Sequence, residues 1–280
     1  MTARPTAVVV GAGPAALACV HRLRVDPGVR VVLVAPGGAS EYLAGALAVA
    51  TGDVDASRFR APVRLDGVEV VAATADALGP GFVRVDGRDL SADAVIAAPG
   101  LATDPVGATL GGAPTEGIVG FWDLAGAAAA APVIEAFTRG VLTVVIATPL
   151  HRCPPAPYGL AIRLARRAAR LGHDVRVRLT TPEPRPLAAI GSAVTGLLLD
   201  SCAAAGVEIR FDVQPDPDAL AAGHLSGSDA ESLATDLAVV VPPHRAHPLL
   251  ADLAGTAPLV VADANGRTDA GAVYVAGDAV

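Results

Sequence analysis

Apolar positions along the chain fall into short β-branched runs set between turn residues, and several of these runs are followed by stretches of helical period. Residues 6–10, TAVVV, predict a buried strand, 16–26 (ALACVHRLRVD) a helix, and 29–35 (VRVVLVA) a second strand, which together make a βαβ unit with tight connections. Residues 36–66 carry Gly, Pro and scattered charge and read as irregular. Strands are then expected at 68–75, 82–85 and 93–100, the last closing on Pro99-Gly100. Residues 101–117, rich in Gly, Pro and Thr, read as a linker. A helix near 122–138 leads into a strand at 141–147, a helix at about 159–171, a strand at 174–181, a helix at 188–205 and a strand at 207–211. A polar segment, 212–235, precedes strands at 236–243, at 259–262, and at the end of the chain, where AVYVAGDAV reads as strand to the last residue. Alternation of this kind predicts an α/β protein with two Rossmann-like units, each built in three layers around a largely parallel sheet.

Composition narrows the classes. The chain has 280 residues, is 52% hydrophobic and carries a net charge of −7, with a mean hydropathy of +0.49. Its apolar runs are short and broken by Pro132 and Pro149, so no segment reaches the roughly 18 residues of a membrane span. The N-terminus enters a strand almost at once, so no signal peptide is expected. The acidic balance argues against a nucleic-acid partner. Every basic side chain other than histidine is arginine, which excludes Schiff-base chemistry and a P-loop lysine. The three cysteines, Cys19, Cys153 and Cys202, are too dispersed for a disulfide scaffold or a zinc pattern. Cys19 and Cys202 fall on helices and read as small core hydrophobes.

Gly11, Gly13 and Ala16 spell G-x-G-x-x-A between the first strand and first helix. Gly11 permits the turn, Gly13 lets the backbone approach a pyrophosphate, and Ala16 lets helix and sheet pack closely. The helix start at Pro14 and Ala15 offers N–H groups and partial positive charge to phosphate. One element departs from the pattern: the second strand ends in Ala35 where Asp or Glu usually holds a ribose, and Glu41 is the nearest acid.

A second turn, HRCPPAPYGL at 151–160, occupies the matching position after the strand at 141–147. It lacks the glycines, and Pro154, Pro155 and Pro157 have no N–H to give a phosphate. The next strand ends in Thr180-Thr181 without an acid, so this unit is not expected to bind NAD(P)H. Cys153 has Arg152 beside it and a helix starting within a turn, both of which favour a thiolate. His151 has the chemistry of a proton carrier near neutral pH. Trp122 and Phe121 read as packing residues, His173 as a helix-end residue, and His21, His224, His244 and His247 as surface or loop residues.

Three stretches carry a family resemblance. RTDAGAVYVAGDAV (267–280) resembles the second FAD fingerprint of two-dinucleotide flavoproteins, VIAAPG (95–100) resembles their A-T-G strand end, and the R-C-P-P-x-P-Y turn resembles that of the sulfide:quinone oxidoreductases and flavocytochrome c sulfide dehydrogenases. DLAVVVPPHRAHPLLADLAG (236–255) and ASEYLAGALAVATG (39–52) resemble further segments of the same family. The resemblance implies a discontinuous FAD domain, 1–103 plus 251–280, holding an inserted domain, 104–250. It implies FAD as cofactor, with Gly11, Gly13, Pro14, Ala15, Ala35, Ala75, Gly100, Gly277 and Asp278 as candidate contacts. It implies that Cys153, with His151, takes electrons from sulfide or a small thiol and passes them through FAD to an acceptor such as a quinone. A cytoplasmic protein, at most peripheral to a membrane, is expected; oligomeric state is open. Two departures stand out: Gly159 where the family has Glu, and no second redox cysteine or quinone-pocket region after the final Gly-Asp strand. An NAD(P)H-dependent flavin reductase or type II NADH dehydrogenase, and a degenerate flavoprotein with a structural or regulatory role, are the alternative readings.

Overall fold

A computed structural model describes residues 4–103, 117–187, 191–226 and 232–280. Most of the expected linker, the start of the expected helix at 188–190 and part of the polar segment lie outside the described residues. The chain divides into two compact units, the first formed by Met1–Tyr42, Arg60–Ala102 and Arg245–Val280, the second by Leu43–Phe59 and Thr103–His244.

In the first unit five parallel strands lie in the order Val273–Val275, Ala94–Ala97, Thr6–Val10, Arg30–Val34, Val68–Val71. Strand side chains alternate between faces. Val9, Val31 and Leu33 pack against Ala16 and Val20 of the helix Pro14–Leu23. Val8, Val10, Val32 and Val34 turn the other way, onto Val83 and Val85 of an antiparallel sheet made by Ala75–Gly79, Phe82–Val85 and Arg88–Ser91. The three layers are therefore helix, parallel sheet and antiparallel sheet. The run expected as one strand at 68–75 is split between two sheets, with Val71 ending one strand and Ala75 starting another.

In the second unit the parallel order is Ile118–Gly120, Leu237–Val241, Arg139–Ile146, Asp174–Thr180, Glu208–Arg210. Leu142, Val144, Ile146, Val239 and Val241 face the helices Leu124–Ala136 and Ala156–Leu171, while Val145, Ala238 and Val240 face Leu220, Leu225 and Leu233. The helix Ala156–Leu171 is strongly amphipathic. Leu160, Ala161, Leu164, Ala165 and Ala168 are buried at helical spacing, and Gly172, at φ +68°, ends the helix in a left-handed cap.

Four expectations are corrected. Residues 36–66 are not wholly irregular: Ala39–Glu41 pairs antiparallel with Arg60–Pro62, and Ala46–Ala50 is helical. Leu43–Phe59 belongs to the second unit, because Ala46, Val49 and Ala50 join its core and Arg163 and Arg167 bind Asp53 Oδ2 (2.8 Å) and the Thr51 carbonyl (2.7 Å). Residues 259–262 form no strand; Val260 is buried and Val261 is 79% exposed, so one apolar side chain plugs a core without strand pairing. The last strand stops at Val275, because Gly277, at φ +75°, turns the chain into a single 3-10 turn.

Candidate functional site

The first unit builds a cradle at the carboxyl ends of its central strands. Gly11 has φ +115°, and its N–H donates to the Val34 carbonyl at 2.9 Å. A Cβ on Gly11 would lie 2.2 Å from the Ala98 carbonyl oxygen, so the turn admits only glycine. Gly13 precedes the helix, with Pro14 in its first turn, and a Cβ on Gly13 would meet nothing within 4 Å. Gly100 faces similarly open space at φ +78°. Gly277 comes close to the helix start, since a Cβ there would sit 2.7 Å from the Ala15 methyl. The last strand therefore brings Gly277 and exposed Asp278 to the same end of the sheet as Gly11 and Gly13. These residues fit a pyrophosphate, which needs close backbone approach and helix N–H groups. Ala35 is fully buried at the end of its strand and offers no polar group. Ala75 is partly buried against the Val8 and Val32 face, opposite the layer that holds the cradle helix.

The second unit places the cysteine turn where a sheet of this order has its switch point. Strand Arg139–Ile146 lies between Leu237–Val241 and Asp174–Thr180, and the chain leaves its carboxyl end for the helix Ala156–Leu171. Ligands of open α/β sheets bind at such points. The helix begins at Ala156, earlier than expected, because Pro155 serves as its cap residue and Pro157 fits its first turn. Its N-terminus has little left for a phosphate: the Ala156 N–H donates to the Cys153 carbonyl at 2.8 Å, Pro157 has none, and the Gly159 N–H donates to Pro155 at 3.0 Å.

Cys153 is exposed and sits at φ +51°. That left-handed conformation costs a non-glycine residue about 1–2 kcal/mol. Cys202 is fully buried, as expected of a core thiol, and Cys19 is half-buried against the first unit's core.

Beside this turn the ends of three adjacent strands each deliver one ring. Trp122 follows Ile118–Gly120, His244 follows Leu237–Val241, and His151 follows Arg139–Ile146. Trp122 meets His151 and His244 edge-to-face, at centroid distances of 5.5 and 5.4 Å. The two imidazoles are 6.3 Å apart. All three rings are buried. His244 Nδ1 lies 2.9 Å from the Pro242 carbonyl, and His151 Nδ1 lies 3.2 Å from the Arg152 carbonyl. A carbonyl only accepts, so both histidines carry the proton on Nδ1 when neutral. The Arg152 guanidinium in turn donates to the Trp122 carbonyl.

Burial pushes the His244 imidazole down to about 4, with the charges of Arg152 and His151 adding to the effect against the pull of the Pro242 carbonyl. Burial lowers His151 as well. The expectation of His244 as a solvated loop residue is thus corrected, and His151 is buried beside it in the same cluster. Sequence reasoning missed Trp122 and His244 as site residues; the one available signal was that each directly follows a strand end. A cleft of about 450 Å³ opens against Trp122, between Gly120, Asp123 and Pro242. Among the described residues there is no metal-binding group of three His, Cys, Asp or Glu side chains, and no helix is long and apolar enough to cross a membrane.

No family model and no curated protein sequence matches the chain. Solved structures do. The sulfide:quinone oxidoreductase of the hyperthermophilic bacterium Aquifex aeolicus superposes with a TM-score of 0.83 at 16% identity, over 98% of this chain and 68% of that one. Putidaredoxin reductase, in its covalent complex with putidaredoxin, gives 0.71 at 18% identity, over 99% and 68%. The NAD-dependent persulfide reductase of A. fulgidus gives 0.72 at 19% identity, over 98% and 53%. The chain therefore spans about two thirds of the first two and about half of the third. The chain shares the fold of these structures, two Rossmann-like units each built on a parallel sheet.

Proposed function

We propose that this chain is an FAD-dependent oxidoreductase that takes electrons from sulfide or a small thiol through Cys153. The observation that carries the reading is Cys153 itself: an exposed cysteine, in a left-handed conformation that glycine would adopt more cheaply, at the switch point of a parallel sheet. Bound FAD would supply a two-electron acceptor, held by the Gly11–Gly13 turn, the start of the Pro14–Leu23 helix and the Gly277-Asp278 turn.

The chemistry balances with one protein thiol. Joining the Cys153 thiolate to hydrosulfide would form a sulfur–sulfur bond and release one proton and two electrons, the pair that a bound FAD would be there to accept. A second hydrosulfide or small thiolate then attacks the outer sulfur, carries it away as a persulfide and regenerates the Cys153 thiolate. No second protein cysteine is needed. The acceptor that reoxidises FAD is assigned to the quinone class by resemblance to the sulfide:quinone oxidoreductases.

The proline turn argues against NAD(P)H as the electron donor, since it leaves the second helix almost no N–H for a phosphate. Ala35 favours one competing reading, a flavoprotein fold with a structural or regulatory role, because buried alanine cannot grip a ribose. Adding FAD to the purified protein, desalting it and recording the visible spectrum separates these. A retained flavin band that bleaches with sulfide and not with NADH or NADPH supports the proposal. Bleaching by NADH points to a reductase, and absence of any retained or titratable FAD points to the structural role.

A further inference from the structure

Cys153 holds its left-handed conformation against two local preferences. At φ +51° its Cβ crowds the neighbouring backbone, and the residue before a proline, here Pro154, is pushed towards extended backbone. Such a conformation persists only where the surroundings fix it from several sides. Packing does not fix it, because Cys153, Pro154 and Pro155 are all exposed.

Hydrogen bonds take that role. The peptide groups on both sides of Cys153 are pinned. The Arg152 carbonyl, just before it, accepts from His151 Nδ1 at 3.2 Å, and its own carbonyl accepts from the Ala156 N–H at 2.8 Å. Arg152 supplies a third hold, since its guanidinium donates to the Trp122 carbonyl. That bond ties the turn after Arg139–Ile146 to the residues after Ile118–Gly120, the edge strand, across the end of Leu237–Val241 between them. Trp122 anchors two of the holds, with His151 against its ring and Arg152 on its carbonyl.

Resting on the reading that Cys153 is the reactive thiol, we propose that Arg152 is a positioning residue: its bond to the Trp122 carbonyl fixes the strained backbone of Cys153 and so directs the thiol outward. A relaxed, extended Cys153 would swing its Cβ bond to another side of the chain, and the sulfur with it. The guanidinium acts on the backbone and not as the cation that activates the sulfur.

The test uses the full chain. Urea unfolding, followed by Trp122 fluorescence, compares wild type, Cys153→Gly, Arg152→Met and the double variant. Cys153→Gly is expected to raise the folding constant about fivefold in wild type, the lower end of the cost of a left-handed side chain, and less than about twofold once Arg152→Met has let the turn relax. Equal gains in both backgrounds, or no gain in wild type, overturn the inference. Cys153 is the exposed one of the three cysteines, so its alkylation rate against pH reads the thiol directly. Arg152→Met should keep the wild-type midpoint; a midpoint raised by about one pH unit, the mark of a lost neighbouring cation, overturns the inference. With FAD loaded equally, sulfide should bleach Arg152→Met at least about tenfold more slowly than wild type, and Arg152→Lys, which keeps a charged donor for the carbonyl, within about threefold of it. Bleaching of Arg152→Met at the wild-type rate overturns the inference. If sulfide does not bleach wild type, the thiol reading fails, while the unfolding and alkylation results still decide whether Arg152 holds the turn.

Discussion

Burial of His244 makes the second unit's stability depend on pH in a defined window. The imidazole is neutral in the fold, its pKa held at about 4 by burial, against about 6.5 in an unfolded chain. Because the unfolded state takes up the proton first, stability is complete above pH 6.5, falls as the pH drops, and levels off below about pH 4. A tenfold difference in proton affinity between the folded and unfolded chain is worth about 1.4 kcal/mol, so the full effect is about 3 kcal/mol, of which about 2 kcal/mol is lost by pH 5. Trp122 is the single tryptophan of the chain and touches the His244 ring, so its fluorescence reports this region alone. Urea unfolding of wild type and His244→Phe, at pH 7.5 and pH 5, isolates the contribution. The phenyl ring keeps the packing against Trp122 but cannot titrate, so wild type should lose about 2 kcal/mol more than the variant on acidification. Parallel losses, within about 0.5 kcal/mol, would refute the claim that burial depresses this histidine.

Three other substitutions follow from the same geometry. Cys153→Gly should raise stability by about 1 kcal/mol in chemical denaturation, because glycine adopts φ +51° without the cost a side chain incurs; unchanged or lowered stability would show that the strain is not there. Gly159→Ala should also stabilise, by about 0.5–1 kcal/mol, since this helical glycine has room for a methyl whose nearest neighbour is the flexible end of Leu47 at 3.4 Å. Gly11→Ala should cost more than about 2 kcal/mol and abolish FAD uptake, since its methyl meets the Ala98 carbonyl as well as a forbidden φ; a variant that folds and binds FAD like wild type contradicts the cradle.

Much of this architecture is legible in the residue pattern. The first βαβ unit and the proline-filled turn are local features, written in consecutive residues, and strand alternation places both sheets. The departures have physical causes. LVVA at 259–262 has the composition of a strand, but composition does not distinguish a paired strand from a segment that buries Val260 alone. The helix after Cys153 starts earlier than the pattern suggests because proline, a breaker within a helix, is tolerated at a helix start, and Pro155 and Pro157 occupy those positions. That Trp122, His151 and His244 meet is not legible, although His151 stands out by its turn and all three follow strand ends. They are distant in sequence and meet only because the strands that precede them are neighbours in the sheet order, which no local pattern records.

The role of Cys153 is tested most directly by an anaerobic sulfide titration of the FAD-loaded protein and of Cys153→Ser, each followed through the flavin band. Wild type should bleach with sulfide at two electrons per flavin and yield persulfide, while Cys153→Ser, loaded with the same amount of FAD, should keep its band. Equal bleaching of the two proteins would contradict the account, because electrons would then reach the flavin without the thiol.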